Sequence, residues 1–262
     1  MRRFGVKLWT NDVFKNHPFF SEIVNHVKEG HFDYLELFVF PETFDATFKD
    51  ICNEIKGLPV VIHNSHSGYG FNTGSAEYEK NNLRDVNDSK RFADELEADI
   101  IIVHAGCGDK PENFDETIRQ FNLFNDKRIA VENLPPICGN SGNVLHGLSP
   151  EEIKSIKDET GCQFCLDFSH ATCAANYKNL PLDDVLSAFC ALKPDMYHLC
   201  DGLTDEINDK HLHYGEGNYN LSHLVNDYIA DGALVTMETG HSLPTSSQPW
   251  LNDYAYLRKL ER

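Results

Sequence analysis

Short apolar runs rich in β-branched and aromatic residues alternate along the chain with segments whose apolar residues follow helical spacing. The apolar runs predict eight strands, at residues 3–9, 33–39, 58–63, 99–104, 128–132, 163–167, 195–199 and 233–238. The other segments predict eight helices, at residues 20–28, 42–55, 78–96, 114–124, 150–159, 182–192, 221–229 and 250–260. Each predicted strand is thus followed by a predicted helix.

This regular alternation predicts parallel strands joined by right-handed crossover connections. Eight strand–helix units in a chain of 262 residues are typical of a closed (β/α) TIM barrel, and an open doubly wound sheet is the alternative. The sequence contains no fixed-period repeat, low-complexity tract or linker, so residues 1–262 are expected to form one domain. The longest irregular stretches follow strands three, five and seven, at the end of a barrel where active sites are built.

Composition narrows the class of protein. The chain is 41% hydrophobic and 24% charged, which excludes a disordered or collagen-like protein. Its net charge of −18 argues against binding of a polyanion through overall charge, so any contact with nucleic acid must be local. Eight cysteines are too few for a disulfide scaffold. Because no apolar stretch approaches the length of a membrane span, we expect a cytoplasmic protein without membrane contact. We also expect a monomer.

Histidine, aspartate and glutamate occupy the carboxyl ends of six predicted strands. These residues are His63, His104, Glu132, Asp167, His198 and Glu238. In a parallel barrel all these ends face one mouth, so the side chains would converge. Imidazoles and carboxylates packed together without a cation would repel one another or stay protonated. Carboxylate oxygens and imidazole nitrogens, with no convergent thiolate, suit Zn, Mn or Fe better than Ca or an iron–sulfur cluster.

Two further segments add candidate ligands. His170 lies just beyond strand six, and Asp209 and His211 lie in the loop after strand seven. The total becomes nine donors, which is more than one tetrahedral or octahedral ion needs. The number of donors therefore favours a cluster of two or three metal ions.

These motifs resemble the xylose-isomerase-like barrels and, among them, the endonuclease IV type of apurinic/apyrimidinic endonuclease. The resemblance covers essentially the whole chain. It is carried by Val103-His104, Val131-Glu132-Asn133, Leu166-Asp167 through His170 and on to residues 174–177, His198-Leu199, Asp209-Lys210-His211 through residues 215–218, and Glu238-Thr239. In that family nine such ligands hold three zinc ions. The resemblance therefore implies a zinc enzyme that cleaves DNA at abasic sites.

The same resemblance implies a role for each donor. His63 and His104 would hold one zinc, and Glu132 would bridge it to a second. The second zinc would also bind Asp167, His198 and Glu238. The third would bind His170, Asp209 and His211. The chemistry would be metal-assisted hydrolysis, in which a water acidified by two cations attacks phosphorus in line. Glu132 and Glu238 are the expected catalytic carboxylates, and Glu132 would orient or deprotonate the water.

Sugar isomerases and epimerases of the same superfamily are the alternative. They resemble the chain at Glu132, Asp167, His198 and Glu238, which there bind one divalent metal, such as Mn, while two carboxylates shuttle a proton. Such an enzyme would act on a small sugar or sugar phosphate. His63 and His104 are the residues that favour the hydrolase. A non-catalytic metal-binding barrel is the third interpretation.

Residues that would hold DNA are few. The endonuclease IV family inserts side chains, including a loop arginine, into the duplex, whereas residues 38–44 of this chain contain no arginine. Tyr69 and Phe71, after strand three, are either stacking wedges or aromatics folded back onto the barrel. Lys210 either contacts a phosphate or stays solvated. Further polar residues expected near the mouth, with open roles, are His66, Asn133, His213 and His241.

Overall fold

A closed barrel of parallel strands forms the centre of the protein, whose computed structural model describes residues 1–139, 141–240 and 245–261. Each strand pairs with its neighbours in sequence, and the last pairs back with the first. The strands are β1 (Arg3–Trp9), β2 (Tyr34–Phe38), β3 (Val60–His63), β4 (Ile101–His104), β5 (Ile129–Glu132), β6 (Gln163–Asp167), β7 (Met196–Leu199) and β8 (Leu234–Met237). The predicted TIM barrel is confirmed, and the open doubly wound sheet is excluded.

The predicted carboxyl end of every strand lies within one residue of the observed end. Four strands, β2, β3, β5 and β7, are buried at every position. This burial is typical of parallel strands, which are covered by side chains inside the barrel and by helices outside it. The apolar runs in the sequence are therefore sufficient to locate the strands.

Helices surround the barrel. They are α1 (Asp12–Lys15), α2 (His17–Lys28), α3 (Phe44–Ile55), α4 (Glu79–Leu96), α5 (Pro111–Phe124), α6 (Pro150–Thr160), α7 (Phe168–Lys178), α8 (Leu182–Cys190), α9 (Leu221–His223) and α10 (Gln248–Leu260). The predicted helix at residues 221–229 is α9 followed by a π-helical turn, Leu224–Tyr228. None of the helices in the described parts of the chain combines the length and apolar character that a membrane span requires.

The sequence pattern does not predict α7. Its first eight residues, from Phe168 to Ala175, are all buried, so the segment has no polar face from which a helical period could be read. This helix begins directly after β6, and its first turn carries His170.

A small apolar cluster fills the inside of the barrel below its mouth. It consists of Tyr34, Val61, Ile100, Ile102, Ala130, Cys165 and Met196. Gly5 on β1 makes room for this cluster, because a Cβ at that position would lie 2.4 Å from the ring of Tyr34. The cluster forms the floor on which the polar side chains of the mouth stand.

Candidate metal centre

Five predicted ligands stand one layer above this floor. Each lies two residues after a floor residue on its own strand, in the pairs Val61 and His63, Ile102 and His104, Ala130 and Glu132, Cys165 and Asp167, and Met196 and His198. Residues two apart on a strand point to the same side, so these five side chains also face the barrel interior. The same alternation therefore produces both the apolar floor and the polar layer.

Asp167 and His170 are brought together by the start of α7. Asp167 is the N-cap of this helix, and its Oδ1 accepts a hydrogen bond of 2.6 Å from the backbone nitrogen of His170. N-capping by aspartate links the cap residue to the third residue of the helix. The spacing Asp167-x-x-His170 thus places a carboxylate and an imidazole at the mouth together.

The loop after β7 presents Asp209 and His211. It is held by Asp201, whose carboxylate accepts hydrogen bonds from the backbone nitrogens of Gly202, Gly215, Gly217 and Tyr219. A backbone bridge between Asp201 and Leu212 closes the segment that contains both candidate ligands. An internal network, rather than regular secondary structure, thus fixes this loop against the barrel.

The predicted ligands gather into three neighbouring donor groups. In the first group, His63 Nε2 and His104 Nε2 lie 3.3 and 3.1 Å from Glu132 Oε2. In the second group, His198 Nδ1 lies 3.3 Å from Glu132 Oε1, 3.9 Å from Asp167 Oδ2 and 3.4 Å from Glu238 Oε2.

In the third group, His170 Nε2 and His211 Nε2 lie 3.4 and 2.9 Å from Asp209 Oδ2. Glu132 belongs to the first two groups, because its two oxygens face different imidazoles. It also joins the second group to the third, since its Oε1 lies 3.2 Å from His170 Nδ1.

Hydrogen bonds orient four of the five imidazoles. The Nδ1–H groups of His63, His170 and His211 donate to the backbone carbonyls of Asn64, Asn133 and Glu238, at 2.7, 2.9 and 2.9 Å. His198 instead donates from Nε2–H to Glu36 Oε2 at 2.9 Å. Because each of these acceptors can only accept, the bonded nitrogen of each ring is the donor, and the other nitrogen faces the carboxylates of a donor group. A neutral imidazole held in this orientation would offer that second nitrogen to a metal ion.

Several acceptor atoms at the centre of the site lack hydrogen-bond partners among the described residues. They are Glu132 Oε1 and Oε2, Asp167 Oδ2, His198 Nδ1 and Asp209 Oδ2. Burying polar atoms without partners is costly, so such atoms are rare in folded proteins. Oxygens and imidazole lone pairs that face a common centre are the donors that a divalent cation binds. The residues present therefore fit a metal site.

The ionisation of the site shows the same demand for positive charge. Burial, with the nearby carboxylates of Asp209 and Glu238, raises the pKa of Asp167 to about 7. Burial acts in the same direction on Glu132, but the imidazoles of His104 and His198 hold its pKa well below the usual range. The imidazoles thus supply the positive charge that ionised Glu132 needs, whereas Asp167 takes up a proton more readily than an ordinary aspartate does.

A comparison with known families matches residues 24–260 to the family described as xylose isomerase-like TIM barrel. The chain belongs to this family. Membership, together with the buried His and Glu clusters, makes the protein a metal-binding enzyme of the xylose isomerase-like superfamily. No curated protein matches the chain.

Solved structures with the same fold include both kinds of enzyme. A D-tagatose 3-epimerase-like protein has 19% identity and a TM-score of 0.73, with 98% of this chain and 96% of that chain covered. Endonuclease IV from Thermus thermophilus has 20% identity and a TM-score of 0.66, with 98% of each chain covered. An AP endonuclease, family 2, from Brucella melitensis has 18% identity and a TM-score of 0.70, with 99% of each chain covered. At such identities the likeness shows the fold alone.

Two charged residues in the interior of this xylose isomerase-like barrel are not anticipated from the sequence. Lys7 Nζ, on β1, lies 3.1 Å from Glu36 Oε1 on β2 and also contacts Glu238 Oε1. Burial opposes the charge of Lys7, but the carboxylates of Glu238 and Glu36 raise its pKa above the usual range. The signal that could have found Glu36 is a single charged residue in the middle of the apolar run Tyr34–Phe38.

The donor groups open into a cavity of about 540 Å³. Its aromatic wall includes Trp9, Phe19, Phe38 and Trp250. Ligands from all three donor groups line its polar base. Among the described lining residues, Lys7 is the one lysine and there is no arginine. The cavity therefore has the size of a small-molecule site, with an apolar wall and a charged base formed by the candidate ligands.

The three residues proposed to contact DNA differ in their burial and in their distance from the cavity. Tyr69 is half-buried and packs against Phe38, Phe40 and His66. The ring of Phe71 is 1% exposed within the core, so the idea that it stacks on DNA is wrong. Lys210 forms an ion pair with Glu206 at 3.5 Å and is not among the lining residues of the cavity.

The remaining polar residues also have defined positions. Asn133 joins the ends of β5 and β6, because its side chain exchanges hydrogen bonds of 2.9 and 2.7 Å with the backbone of Asp167. His66 lines the cavity, and His213 contacts Asp253 at 2.7 Å. His241 lies outside the described residues.

Proposed function

We propose that this protein is a metal-dependent phosphodiester hydrolase with a multinuclear zinc centre, and that it cleaves DNA at abasic sites. The observation that carries the proposal is the number of donors around one cavity. The second donor group already contains four donors, and the first and third groups add His63, His104, His170, Asp209 and His211. An enzyme that used a single ion would not need these five additional side chains.

Glu132 and Glu36 would have separate roles in the hydrolysis. Zinc ions bound here would acidify a water molecule and offset the negative charge of the phosphate. Glu132, whose oxygens face imidazoles on two sides, would orient the water and accept its proton. Glu36 would hold His198 in its ligating orientation through the hydrogen bond at Nε2.

The size of the cavity limits how DNA would bind. A space of about 540 Å³ accommodates a sugar phosphate but not a duplex. The abasic nucleotide would therefore have to leave the helix and enter the cavity, a movement that costs least where the base is missing. Trp9 lines the cavity and is 40% exposed, which makes it a candidate for stacking against a neighbouring base.

A single-metal sugar isomerase or epimerase is the second candidate. It is favoured by the four-donor group of Glu132, Asp167, His198 and Glu238, which suffices for one divalent ion. The small, aromatic-walled cavity and the net charge of −18 also suit a sugar better than a polyanion.

Metal content and two substrates distinguish the candidates. We expect the zinc-loaded protein to contain more than one ion per chain and to nick a duplex with a single abasic site, leaving the intact duplex uncut. His104→Ala removes a donor outside the four-donor group, so it should lower both metal content and nicking, nicking by at least about 10-fold. The matched control is His17→Ala, because His17 is a surface histidine paired with Glu54.

The opposite result supports the isomerase. One ion per chain, exchange of a ketose C3 proton with solvent deuterium, and unchanged metal content in the His104→Ala variant would refute the hydrolase. Nuclear magnetic resonance of the sugar and elemental analysis of the protein measure these quantities.

A further inference from the structure

Cys200 lies beside the third donor group. It directly follows β7 and is 1% exposed, and its Sγ lies 3.6 Å from Asp209 Oδ1. Its Sγ, a carboxylate oxygen of Asp209 and a ring nitrogen of His211 all lie within 4.8 Å of one another. From the sequence, no cysteine is expected near the site. This expectation is wrong, because Cys200 lies beside two of the candidate ligands.

A second observation at the same place points to a cation. Asp209 Oδ2 is buried and has no hydrogen-bond partner among the described residues, and it faces His170 Nε2 and His211 Nε2. The other oxygen of Asp209 accepts a hydrogen bond of 2.6 Å from Ser169 Oγ. One carboxylate oxygen is thus satisfied by the protein, while the other is left for an ion.

We propose that Cys200 Sγ is a ligand of the third metal ion, together with Asp209 and His211. This inference rests on the proposed multinuclear centre and deepens it, because it gives one site a sulfur ligand that the other two donor groups lack. Zinc accepts thiolate, imidazole and carboxylate ligands together. On binding, the thiol proton leaves to solvent and the Sγ–metal bond forms in its place.

Cobalt provides a direct test, because a thiolate bound to Co²⁺ gives a near-ultraviolet charge-transfer band that nitrogen and oxygen ligands do not give. We expect the cobalt-loaded protein to show this band and the Cys200→Ser variant to lose it. The controls are Cys173→Ser, a buried thiol on α7 outside the donor groups, and Cys190→Ser, a thiol on α8. Both should keep the band.

Chelator competition gives a second measurement. The Cys200→Ser variant should release one zinc ion at a chelator concentration at least about 10-fold lower than the wild type does. Cys200→Asp, which restores a charged donor, should recover ion content without the band. If Cys200→Ser does not fold, as judged by circular dichroism, this second variant and the wild-type spectrum decide the question.

Each outcome has a definite meaning. Cobalt bound by the wild type without a charge-transfer band, or a band that persists in Cys200→Ser, overturns the role of Cys200 and leaves the multinuclear centre standing. A wild-type protein that binds no divalent ion overturns both proposals.

Discussion

Asp167 has two roles, as the N-cap of α7 and as a candidate metal ligand, and substitutions can separate them. Its Oδ1 caps α7 through the backbone nitrogen of His170 at 2.6 Å. Its Oδ2 is buried, lacks a hydrogen-bond partner among the described residues, and lies 3.9 Å from His198 Nδ1 in the second donor group. Asparagine caps a helix as well as aspartate does but places an amide where a metal ligand is needed, whereas alanine removes both functions.

The expected magnitudes follow from this geometry. In the metal-free protein, Asp167→Ala should cost about 1 kcal/mol of unfolding free energy relative to Asp167→Asn, which is the usual loss for removal of an N-cap. Burial raises the pKa of Asp167 to about 7, so above that pH the wild type carries an unfavourable buried charge. Asp167→Asn should therefore be at least as stable as the metal-free wild type at pH 8. This advantage should shrink as the pH falls through 7, because the wild-type carboxyl then takes up a proton.

The assay is urea unfolding of chelator-treated protein at pH 8 and at pH 6, followed by zinc reloading and elemental analysis. Both variants should bind less zinc than the wild type. Equal stability of the asparagine and alanine variants would refute the capping argument. Wild-type zinc content in Asp167→Asn would refute the assignment of Oδ2 as a ligand.

Four further substitutions test the charged residues beneath the mouth and two aromatic residues. Lys7→Met should destabilise the metal-free protein by roughly 3–5 kcal/mol in urea unfolding, because Glu36 and Glu238 lose their shared cation; a loss below about 1 kcal/mol would contradict this. Glu36→Gln should weaken zinc binding about 10–100-fold in chelator competition, because His198 loses a charged acceptor, and unchanged affinity would exclude that role. Phe71→Ala should cost about 3–5 kcal/mol and Tyr69→Ala less, in thermal or urea unfolding, because Phe71 is fully enclosed in the core; equal losses would count against the difference in burial.

Local patterns in the sequence determine the barrel and much of its mouth. A strand buried on both faces must be an apolar run, and the run must end where the chain meets solvent or a polar site. For this reason His104 and Glu132 could be placed at the ends of β4 and β5 from the sequence alone. Asp209 and His211, in the loop after strand seven, could be named as candidate ligands from their position, but their grouping with His170 around one ion came from the family resemblance.

Only the tertiary structure decided which additional residues enter the site. Helix α7 escapes prediction because its first two turns are buried on all sides. Lys7 and Glu36 belong to strands far apart in sequence from most of the ligands, and closure of the barrel brings them beneath Glu238 and His198. In the sequence, Cys200 cannot be told from an ordinary buried thiol. In the structure, the loop held by Asp201 places Asp209 against it. Strand and helix periods are local properties of the chain, whereas the ligand environment depends on contacts between distant segments, which a period cannot encode.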